Sequence, residues 1–241
     1  MQPSSLRNDR IVSIHIEKTA GTSLLDFFCK VYGPQNVFFY HPKIGFLRQD
    51  KDPARLRRSY LGDWLKSILL QCPSLYKLMR GTIHKRERQT IDFTIPSTFS
   101  VIHGHFSPDD FSVNAASYVT VFRDPLQRTR SHFDDMKKWR GVVSNSCADL
   151  SFEEFALHES MVNFQTKRIR GKDLCSFCHF GITEDFDRYC RNFDRSGCIG
   201  LRRFNQSKKP NKISVSPSFL RRFEIAHRED IQLYQRAKQL S

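Results

Sequence analysis

The sequence predicts an α/β fold in which a central parallel sheet carries helices on both faces. Short apolar runs alternate with segments of helical periodicity along most of the chain, and this alternation is typical of parallel sheets. At 241 residues the chain is long enough to bury a full core. We therefore expect a single domain over residues 1–241, without internal repeats.

Six short apolar runs predict the strands of this sheet. Each is only a few residues long and is followed by polar or turn-forming residues, as expected for buried strands. They are Ile11–Ile16, Asn36–Tyr40, Phe99–Ile102, Tyr118–Phe122, Cys178–Ile182 and Cys198–Leu201.

Helical segments follow most of these strands. A capping box at Ser151–Glu154 predicts a helix that runs to about Arg168. Pro217 follows Ser216 and occupies a favourable first helical position. Further helices are expected from about Leu24, over Gln127–Trp139 and after a cap at Thr183.

The chain is strongly basic. Lys and Arg number 39 against 25 Asp and Glu, a formal charge of +14. Such an excess favours polyanionic partners such as nucleic acids, acidic membrane surfaces, acidic glycans or nucleotides. The alternative is a basic protein without a polyanionic partner. Much of the excess lies in an insert at about 41–95, expected to be a helical insert, a flexible flap or a solvated basic loop.

Four of the seven cysteines fall close together, in the order Cys175, Cys178, Cys190 and Cys198, with His179 beside the second. Cys-x-x-Cys followed by His and further Cys is compatible with zinc. The later spacings match no common zinc module, so free buried thiols are the expected alternative.

The loop after the first strand has the composition of an anion site. Residues 18–23 read Lys-Thr-Ala-Gly-Thr-Ser and lead directly into a helix. A helix N-terminus offers unpaired N–H groups and the positive end of the helix dipole. Lys18 adds a charge, and Thr19, Thr22 and Ser23 add hydroxyl groups. This pattern suits a phosphate or sulfate group, although an ordinary strand–turn–helix has a similar composition.

Two further strand ends carry chemically active side chains. His103 and His105 flank a glycine at one, and Arg123 stands at another, eight residues before Ser131. Arg123 and Ser131 are placed to converge on one phosphate, unless Arg123 pairs with Asp124 instead. Histidine titrates near neutral pH, so His105 is the natural general base and His103 a group that orients it or binds substrate. A structural role for both histidines is the alternative.

Three motifs together resemble a known enzyme family. HIEKTAGTS, HGHF and RDPLQRTRS, in this order, are similar to motifs of the carbohydrate sulfotransferases that use 3′-phosphoadenosine-5′-phosphosulfate (PAPS). The nearest relatives in appearance are the heparan sulfate and uronyl 2-O-sulfotransferases. Weaker similarities extend over nearly the whole chain outside the insert. They lie at Asn163–Thr166, Phe180–Glu184, Asn205–Lys209 and Asp230–Lys238.

The resemblance implies a P-loop-NTPase-like three-layer fold and a PAPS site without a metal ion. His105 would be the general base, aided by His103, and Lys18 would balance charge on the leaving phosphate. Arg123 and Ser131 would hold the 3′-phosphate, and Ser207 and Lys208 would lie in a loop that covers the cofactor. The 5′-phosphosulfate would contact the loop formed by Lys18, Thr19, Ala20, Gly21, Thr22 and Ser23.

The same resemblance implies an anionic carbohydrate acceptor opposite the basic insert, and no nucleic-acid partner. A non-catalytic polyanion-binding protein on the same fold is the main alternative. A kinase-like P-loop enzyme is disfavoured, because the chain lacks the G-x-x-x-x-G-K-[ST] loop.

One position departs from the family pattern. Glu17 stands where these enzymes usually have a proline, directly before the loop lysine. If its carboxylate points towards the anion site, cofactor affinity should fall; if it points away, the change is harmless.

The expected compartment depends on the chain start. No apolar stretch reaches the roughly 18–20 residues of a membrane helix, and MQPSSLRNDR does not resemble a signal peptide. A cytoplasmic protein is expected if Met1 is the true start, and a Golgi-lumenal one if the chain is a fragment of a membrane-anchored protein.

Overall fold

A computed structural model describes residues 10–41, 45–48, 98–108, 116–138, 147, 149–194, 199–201 and 215–241. Its centre is a six-stranded sheet in the order β3-β2-β4-β1-β5-β6. Five strands run parallel and only β3, at one edge, is antiparallel. The strands are β1 (Arg10–Ile14), β2 (Val37–His41), β3 (Gly45–Arg48), β4 (Val101–Gly104), β5 (Ala116–Phe122) and β6 (His179–Ile182).

The parallel sheet predicted from the sequence is confirmed, and its five parallel strands coincide with five of the predicted apolar runs. Seven α-helices lie in the described part of the chain. They are α1 (Gly21–Tyr32), α2 (Pro125–Lys138), α3 (Phe152–Leu157), α4 (Phe164–Arg168), α5 (Phe186–Arg191), α6 (Pro217–Ala226) and α7 (Arg228–Leu240).

Alternating side chains of β1 bury both faces of the sheet. Ile11 packs with α1 and α5, whereas Val12 and Ile14 pack on the opposite face with Leu233 of α7. Because successive side chains of a strand point to opposite faces, a strand whose apolar residues fall on both faces must be covered on both sides. The result is the expected three-layer arrangement of helices, sheet and helices.

The helix predicted from Ser151 to about Arg168 is wrong as a single element. The Ser151 capping box is present, but α3 ends before His158. The His158 ring accepts a hydrogen bond from the Ser160 N–H (3.3 Å), and Asn163 adopts a left-handed conformation with φ 49°. Local side-chain hydrogen bonds of this kind compete with the helical ladder. A second helix, α4, then begins after Asn163.

Two further boundaries differ from the prediction. Thr183 does not cap a helix, because its hydroxyl donates to Glu184 Oε2 (3.2 Å) and a 3₁₀ turn over Thr183–Asp185 precedes α5. The strand expected at Cys198–Leu201 is also wrong where it can be assessed, since residues 199–201 are irregular. Ser216 caps α6 as predicted, with its hydroxyl accepting from the Phe219 N–H (3.1 Å).

The cysteines are only partly buried. Cys190 is buried, but Cys175 and Cys178 are exposed, which corrects the expectation of buried thiols at those two positions. The reason is local: Cys175 lies in a 3₁₀ turn whose buried residue is Leu174, and Cys178 precedes β6 rather than lying within it. Cys198 lies outside the described residues.

Most of the basic insert lies outside the described residues, but its first part is visible as β3. This strand pairs with β2, with Phe38 opposite Arg48 and His41 opposite Gly45. The insert therefore starts by extending the sheet, where a helix, flap or loop was expected. In the part of the chain that the structure describes, no helix combines the length and apolar character needed to cross a bilayer.

Candidate anion and general-base site

The three chemically active strand ends lie next to one another. Strand β1 is the central member of a β4-β1-β5 trio, and Ile14 is aligned with Gly104 on one side and Thr120 on the other. The chain leaves β1, β4 and β5 at the same carboxyl edge of the sheet, where ligands of open parallel sheets bind. The topology therefore brings the Lys18 loop, the histidine pair and Arg123 together, as the sequence suggested.

The loop that follows β1 is held in an unusual backbone conformation. Lys18 and Ala20 both adopt left-handed φ angles, 71° and 65°. Such angles cost on the order of 1–3 kcal/mol each for residues with a side chain. Thr19, between them, is 2% exposed, and both its N–H and its hydroxyl donate to the Ile16 carbonyl, at 3.3 and 2.7 Å. Thr19 thus closes the turn from inside, and its hydroxyl hydrogen is directed away from solvent.

In the described part of the chain, the N-terminus of α1 has the backbone features of an anion site, with Gly21 and Ser23 of its first turn buried. Ala20 is its N-cap, no side chain caps the helix and no acidic residue occupies its first turn. The first intrahelical bond runs from the Leu24 N–H to the Ala20 carbonyl (3.0 Å). The N–H groups before Leu24 lack intrahelical acceptors, and they lie at the positive end of the helix dipole.

Lys18 reaches from this loop towards α2. Its Nζ lies 3.4 Å from Asp135 Oδ2, and the two side chains are 25% and 46% exposed. Ser131 precedes Asp135 by one helical turn, so both lie on the same face of α2. The predicted phosphate-binding serine therefore stands on the helix face that is turned towards the loop.

Arg123 joins the end of β5 to the same loop. Its Nη1 donates to the Lys18 carbonyl (3.1 Å). Asp124 does not pair with it; instead, Asp124 Oδ1 accepts from the Gln127 N–H (2.9 Å) at the start of α2. Burial lowers the pKa of Arg123, while Glu184 and Asp124 oppose this effect. The guanidinium is thus fixed beside the loop, consistent with a role in holding an anion.

A buried polar network fixes the backbone of Arg123. Gln165 is fully buried; its Oε1 accepts from the Arg123 N–H (3.0 Å) and its Nε2 donates to the Arg123 carbonyl (2.9 Å). Asp230 of α7 in turn accepts from the N–H groups of Gln165 (3.1 Å) and Thr166 (2.8 Å), and from the Thr166 hydroxyl (2.9 Å). Asn163 Oδ1 accepts from the Asp230 N–H (3.3 Å). Two segments that carry weak sequence motifs, Asn163–Thr166 and the one beginning at Asp230, therefore hold the backbone of Arg123 in place.

His103 and His105 differ sharply in their surroundings. His103 is 1% exposed, and its Nδ1 lies 2.9 Å from Ser13 Oγ. Burial and the nearby charge of His105 lower the pKa of His103 to about 3, against a partial offset from a hydrogen bond with the Gly21 backbone. His105 follows β4 and keeps 19% of its side chain exposed. His103 is therefore a neutral buried group placed to orient its surroundings, and His105 is the histidine with access to solvent.

A third histidine, His15, completes a stack that the sequence did not indicate. Its ring centroid lies 4.3 Å from that of His105 and 5.0 Å from that of His103. Burial, followed by the charges of His105 and His103, lowers the pKa of His15 well below its usual value. A Cβ on Gly21 would overlap the His15 ring. Gly21 is thus needed to let the α1 N-terminus approach the histidine stack.

The Glu17 carboxylate points towards the histidine cluster, where it contacts His105 and Arg168. Its Oε1 lies 3.4 Å from His105 Nδ1, and both carboxylate oxygens accept from the Arg168 guanidinium, with Nε to Oε2 at 3.2 Å. Burial would raise the pKa of Glu17, but the contact with His105 and the charge of Arg168 outweigh it and lower the pKa to about 2. Glu17 is therefore ionised and paired.

Sequence reasoning missed the partners that reach the site from distant segments. Arg168 is 151 residues from Glu17, and Gln165 is 42 residues from Arg123. Neither separation leaves a local pattern. His15 does have a weak signal that was not used, since it directly follows β1 within the run Ile11–Ile16, just before the loop. The predicted cofactor residues Ser207 and Lys208 lie outside the described residues.

Metal ligands are not gathered in the described ranges: no group of three or more His, Cys, Asp or Glu residues there could hold a metal ion.

Comparison with models of protein families gave no match, and comparison with curated proteins gave no significant match.

Proposed function

We propose that the chain is a PAPS-dependent sulfotransferase of P-loop-like architecture that acts on a carbohydrate hydroxyl. The observation that carries the proposal is the meeting, at one sheet edge, of a helix N-terminus without an acidic residue in its first turn, two cationic side chains and a partly exposed histidine. The cations are Lys18 and Arg123, and the histidine is His105. The strand–loop–helix from β1 to α1 supports the P-loop-like description.

The residues present fit the two ends of such a cofactor. The α1 N-terminus and Lys18 suit the 5′-phosphosulfate, because N–H groups, helix dipole and ammonium favour the same negative charge. Arg123 is linked to the loop by a 3.1 Å hydrogen bond and, with Ser131 on the facing side of α2, suits the 3′-phosphate. When bound, PAPS supplies an activated sulfuryl group.

His105 takes the proton of the acceptor hydroxyl at Nε2, since its Nδ1 faces Glu17. Lys18 balances the charge that builds on the departing phosphate oxygen, as positioned cations do in related group transfers. With PAPS bound, transfer would form an S–O bond to the acceptor oxygen and break the one to the phosphate oxygen, while the acceptor proton would pass to His105. The basic insert and the overall charge of +14 favour an anionic carbohydrate as the acceptor.

Calorimetry with 3′-phosphoadenosine-5′-phosphate tests the cofactor site. Lys18→Ala and Arg123→Ala should each weaken binding about 10- to 100-fold, the loss expected for a charge-assisted hydrogen bond of roughly 1.5–3 kcal/mol. Lys30→Ala is a matched control. Lys30 also forms an ion pair, with Asp26 (2.8 Å), but it lies in the last turn of α1, at the end of the helix opposite the candidate anion site. No binding by the intact protein, or equal effects of Lys18→Ala and Lys30→Ala, would contradict the proposal.

Transfer from labelled PAPS to a panel of glycans tests the reaction. His105→Ala should abolish transfer and leave the affinity for 3′-phosphoadenosine-5′-phosphate within about twofold, because a general base contributes to the chemical step. Transfer at the wild-type rate would remove His105 from the mechanism. Salt-dependent heparin binding without any transfer would instead favour a non-catalytic polyanion-binding protein.

A further inference from the structure

We propose that Glu17 is the positioning residue of the general base: its carboxylate holds the His105 proton on Nδ1 and leaves the Nε2 lone pair for the acceptor hydroxyl. The inference rests on the proposed function for the role of His105, but the contact itself can be tested without activity. It gives Glu17 a role besides the one considered from the sequence, where an inward-pointing carboxylate would lower cofactor affinity and an outward-pointing one would be harmless.

The geometry of the carboxylate carries the proposal. Oε1 of Glu17 lies 3.4 Å from His105 Nδ1, and the two side chains are 26% and 19% exposed. A neutral imidazole has one donor nitrogen and one acceptor nitrogen, and the hydrogen bond made by one decides the role of the other. The present contact meets an ion-pair distance but not hydrogen-bond geometry. Because a carboxylate can only accept, a hydrogen bond that closes this contact selects the tautomer with the proton on Nδ1. Catalytic contacts in unliganded enzymes are often long and shorten when the substrate binds.

The histidine stack restricts the same ring. His15 lies against His105 with a centroid separation of 4.3 Å, and the Phe39 ring meets His105 edge-on at 6.0 Å. These contacts limit the orientation of the imidazole plane but select neither tautomer. Glu17 supplies the directional contact that the stack lacks.

Arg168 makes a negative charge tolerable at an anion site. Its guanidinium contacts both oxygens of Glu17, and it lies over the Phe164 ring at 5.4 Å. A two-point guanidinium–carboxylate contact fixes the plane of the carboxylate as well as its position. The pair is nearly neutral from a distance, so the loop keeps the positive field of Lys18 and the α1 N-terminus.

A purely structural role is the competing explanation, in which Glu17 and Arg168 only fasten the loop to α4. The two explanations differ at His105. A structural pair affects folding and loop order, whereas a positioning carboxylate also determines which imidazole nitrogen carries the proton.

Glu17→Gln separates them because it keeps the shape but removes the charge. Oε1 faces both His105 and Arg168, so a carboxamide oxygen at that site is a neutral and weaker acceptor for both, while its NH₂ at the other site loses the second contact with Arg168. Nitrogen-15 NMR of the imidazoles in the full-length protein, assigned with His105→Gln, reports the tautomer directly. In the wild type we expect Nδ1–H to dominate for neutral His105; in Glu17→Gln we expect a shift towards Nε2–H.

Kinetics and binding complete the experiment. In Glu17→Gln we expect kcat for sulfate transfer to fall about 10- to 100-fold, the usual effect of losing a group that orients a catalytic residue. The Kd for 3′-phosphoadenosine-5′-phosphate should change by less than about threefold. Glu17→Asp should recover part of kcat and of the Nδ1–H signal. The control is Glu153→Gln, which removes another carboxylate–guanidinium contact, Arg222 Nη2 to Glu153 Oε2 at 2.9 Å, between α3 and α6.

The outcomes of the two proposals can be told apart. An unchanged His105 tautomer in Glu17→Gln, or a kcat equal to that of Glu153→Gln, overturns the positioning role whatever the cofactor is. Failure of the intact protein to bind 3′-phosphoadenosine-5′-phosphate overturns the proposed function, while the NMR result still decides whether Glu17 sets the His105 tautomer.

Discussion

At the scale of single residues, Asp135 is the group that competes with an anion for Lys18. Its carboxylate is nearly half exposed and lies 3.4 Å from the Lys18 ammonium. Exposed ion pairs of this kind contribute only about 0–1 kcal/mol, so the lysine can exchange partners at little cost. The carboxylate also places a negative charge beside the lysine of the candidate anion site.

Asp135→Asn should therefore strengthen the binding of 3′-phosphoadenosine-5′-phosphate. The removed charge repels the ligand and occupies Lys18, so we expect Kd to fall by about two- to fivefold, which corresponds to the weak energy of an exposed pair. Calorimetry at low and high salt measures the effect, and the gain should shrink as salt screens the charges.

Asp173→Asn provides the matched control, because Asp173 is 50% exposed and also pairs at 3.4 Å, with Arg236. It lies before β6, at the opposite end of that strand from the site. Equal changes in Kd for the two variants, or weaker binding in Asp135→Asn, would mean that Asp135 does not face the bound anion.

At the scale of elements, the break between α3 and α4 positions Gln165, which holds the backbone of Arg123. A continuous helix would not direct the left-handed Asn163 and the first N–H groups of α4 towards Asp230. The short helix α4 thus presents its N-terminus to a buried carboxylate, which favours negative charge there. The capping box at Ser151 was readable because it is local. The interruption was not predicted: its local hydrogen bonds at His158 and Ser160 form no recognised stop signal, and the contact of Asn163 with α7 leaves no local pattern.

Asp230→Ala should destabilise the fold and weaken the anion site together. The substitution leaves the N–H groups of Gln165 and Thr166 without their acceptor, in a position where Asp230 is fully buried. A buried donor left without its acceptor costs roughly 1–3 kcal/mol, so the loss of both acceptor contacts should cost about 2–5 kcal/mol. Urea unfolding should show this loss, and calorimetry under native conditions should show weaker binding of 3′-phosphoadenosine-5′-phosphate, because Gln165 positions Arg123.

Glu229→Ala tests whether the effect belongs to this network. Glu229 precedes Asp230 in α7 but is exposed, so its loss should cost less than about 1 kcal/mol. A stability loss in Asp230→Ala no larger than that of Glu229→Ala would show that the network does not hold α4 in place.

At the scale of the whole molecule, the sequence predicts the features that depend on local patterns and on strand polarity, which are the strands and the edge of the sheet where the site lies. Apolar runs locate the five parallel strands, and parallel polarity brings the Lys18 loop, His105 and Arg123 to one edge. Contacts between distant segments follow no such rule. Arg168 reaches Glu17 across 151 residues because α4 packs beside the loop, and no periodicity in either segment encodes that contact.

The same packing buries several neutral histidines, and this has a consequence for the stability of the whole domain. The pKa of His103 is about 3, set mainly by burial and by His105. The pKa of His132 is about 4, set mainly by burial and by the charge of Arg128. Unfolding returns both imidazoles to values near 6.5. Between pH 6.5 and about 4 the unfolded chain therefore binds more protons than the folded one.

Stability should accordingly fall as the pH drops from 6.5 towards 4, by up to about 1.4 kcal/mol per pH unit for each such histidine. Urea unfolding at pH 7, 6 and 5 measures this slope, and His132→Gln should reduce it by about one proton. Glu17 acts in a separate window: its pKa is lowered from 4.5 to about 2, so its contribution is lost only as the pH falls below 4.5. A free energy of unfolding that stays constant from pH 7 to pH 5 would mean that the buried histidines become protonated within the folded protein.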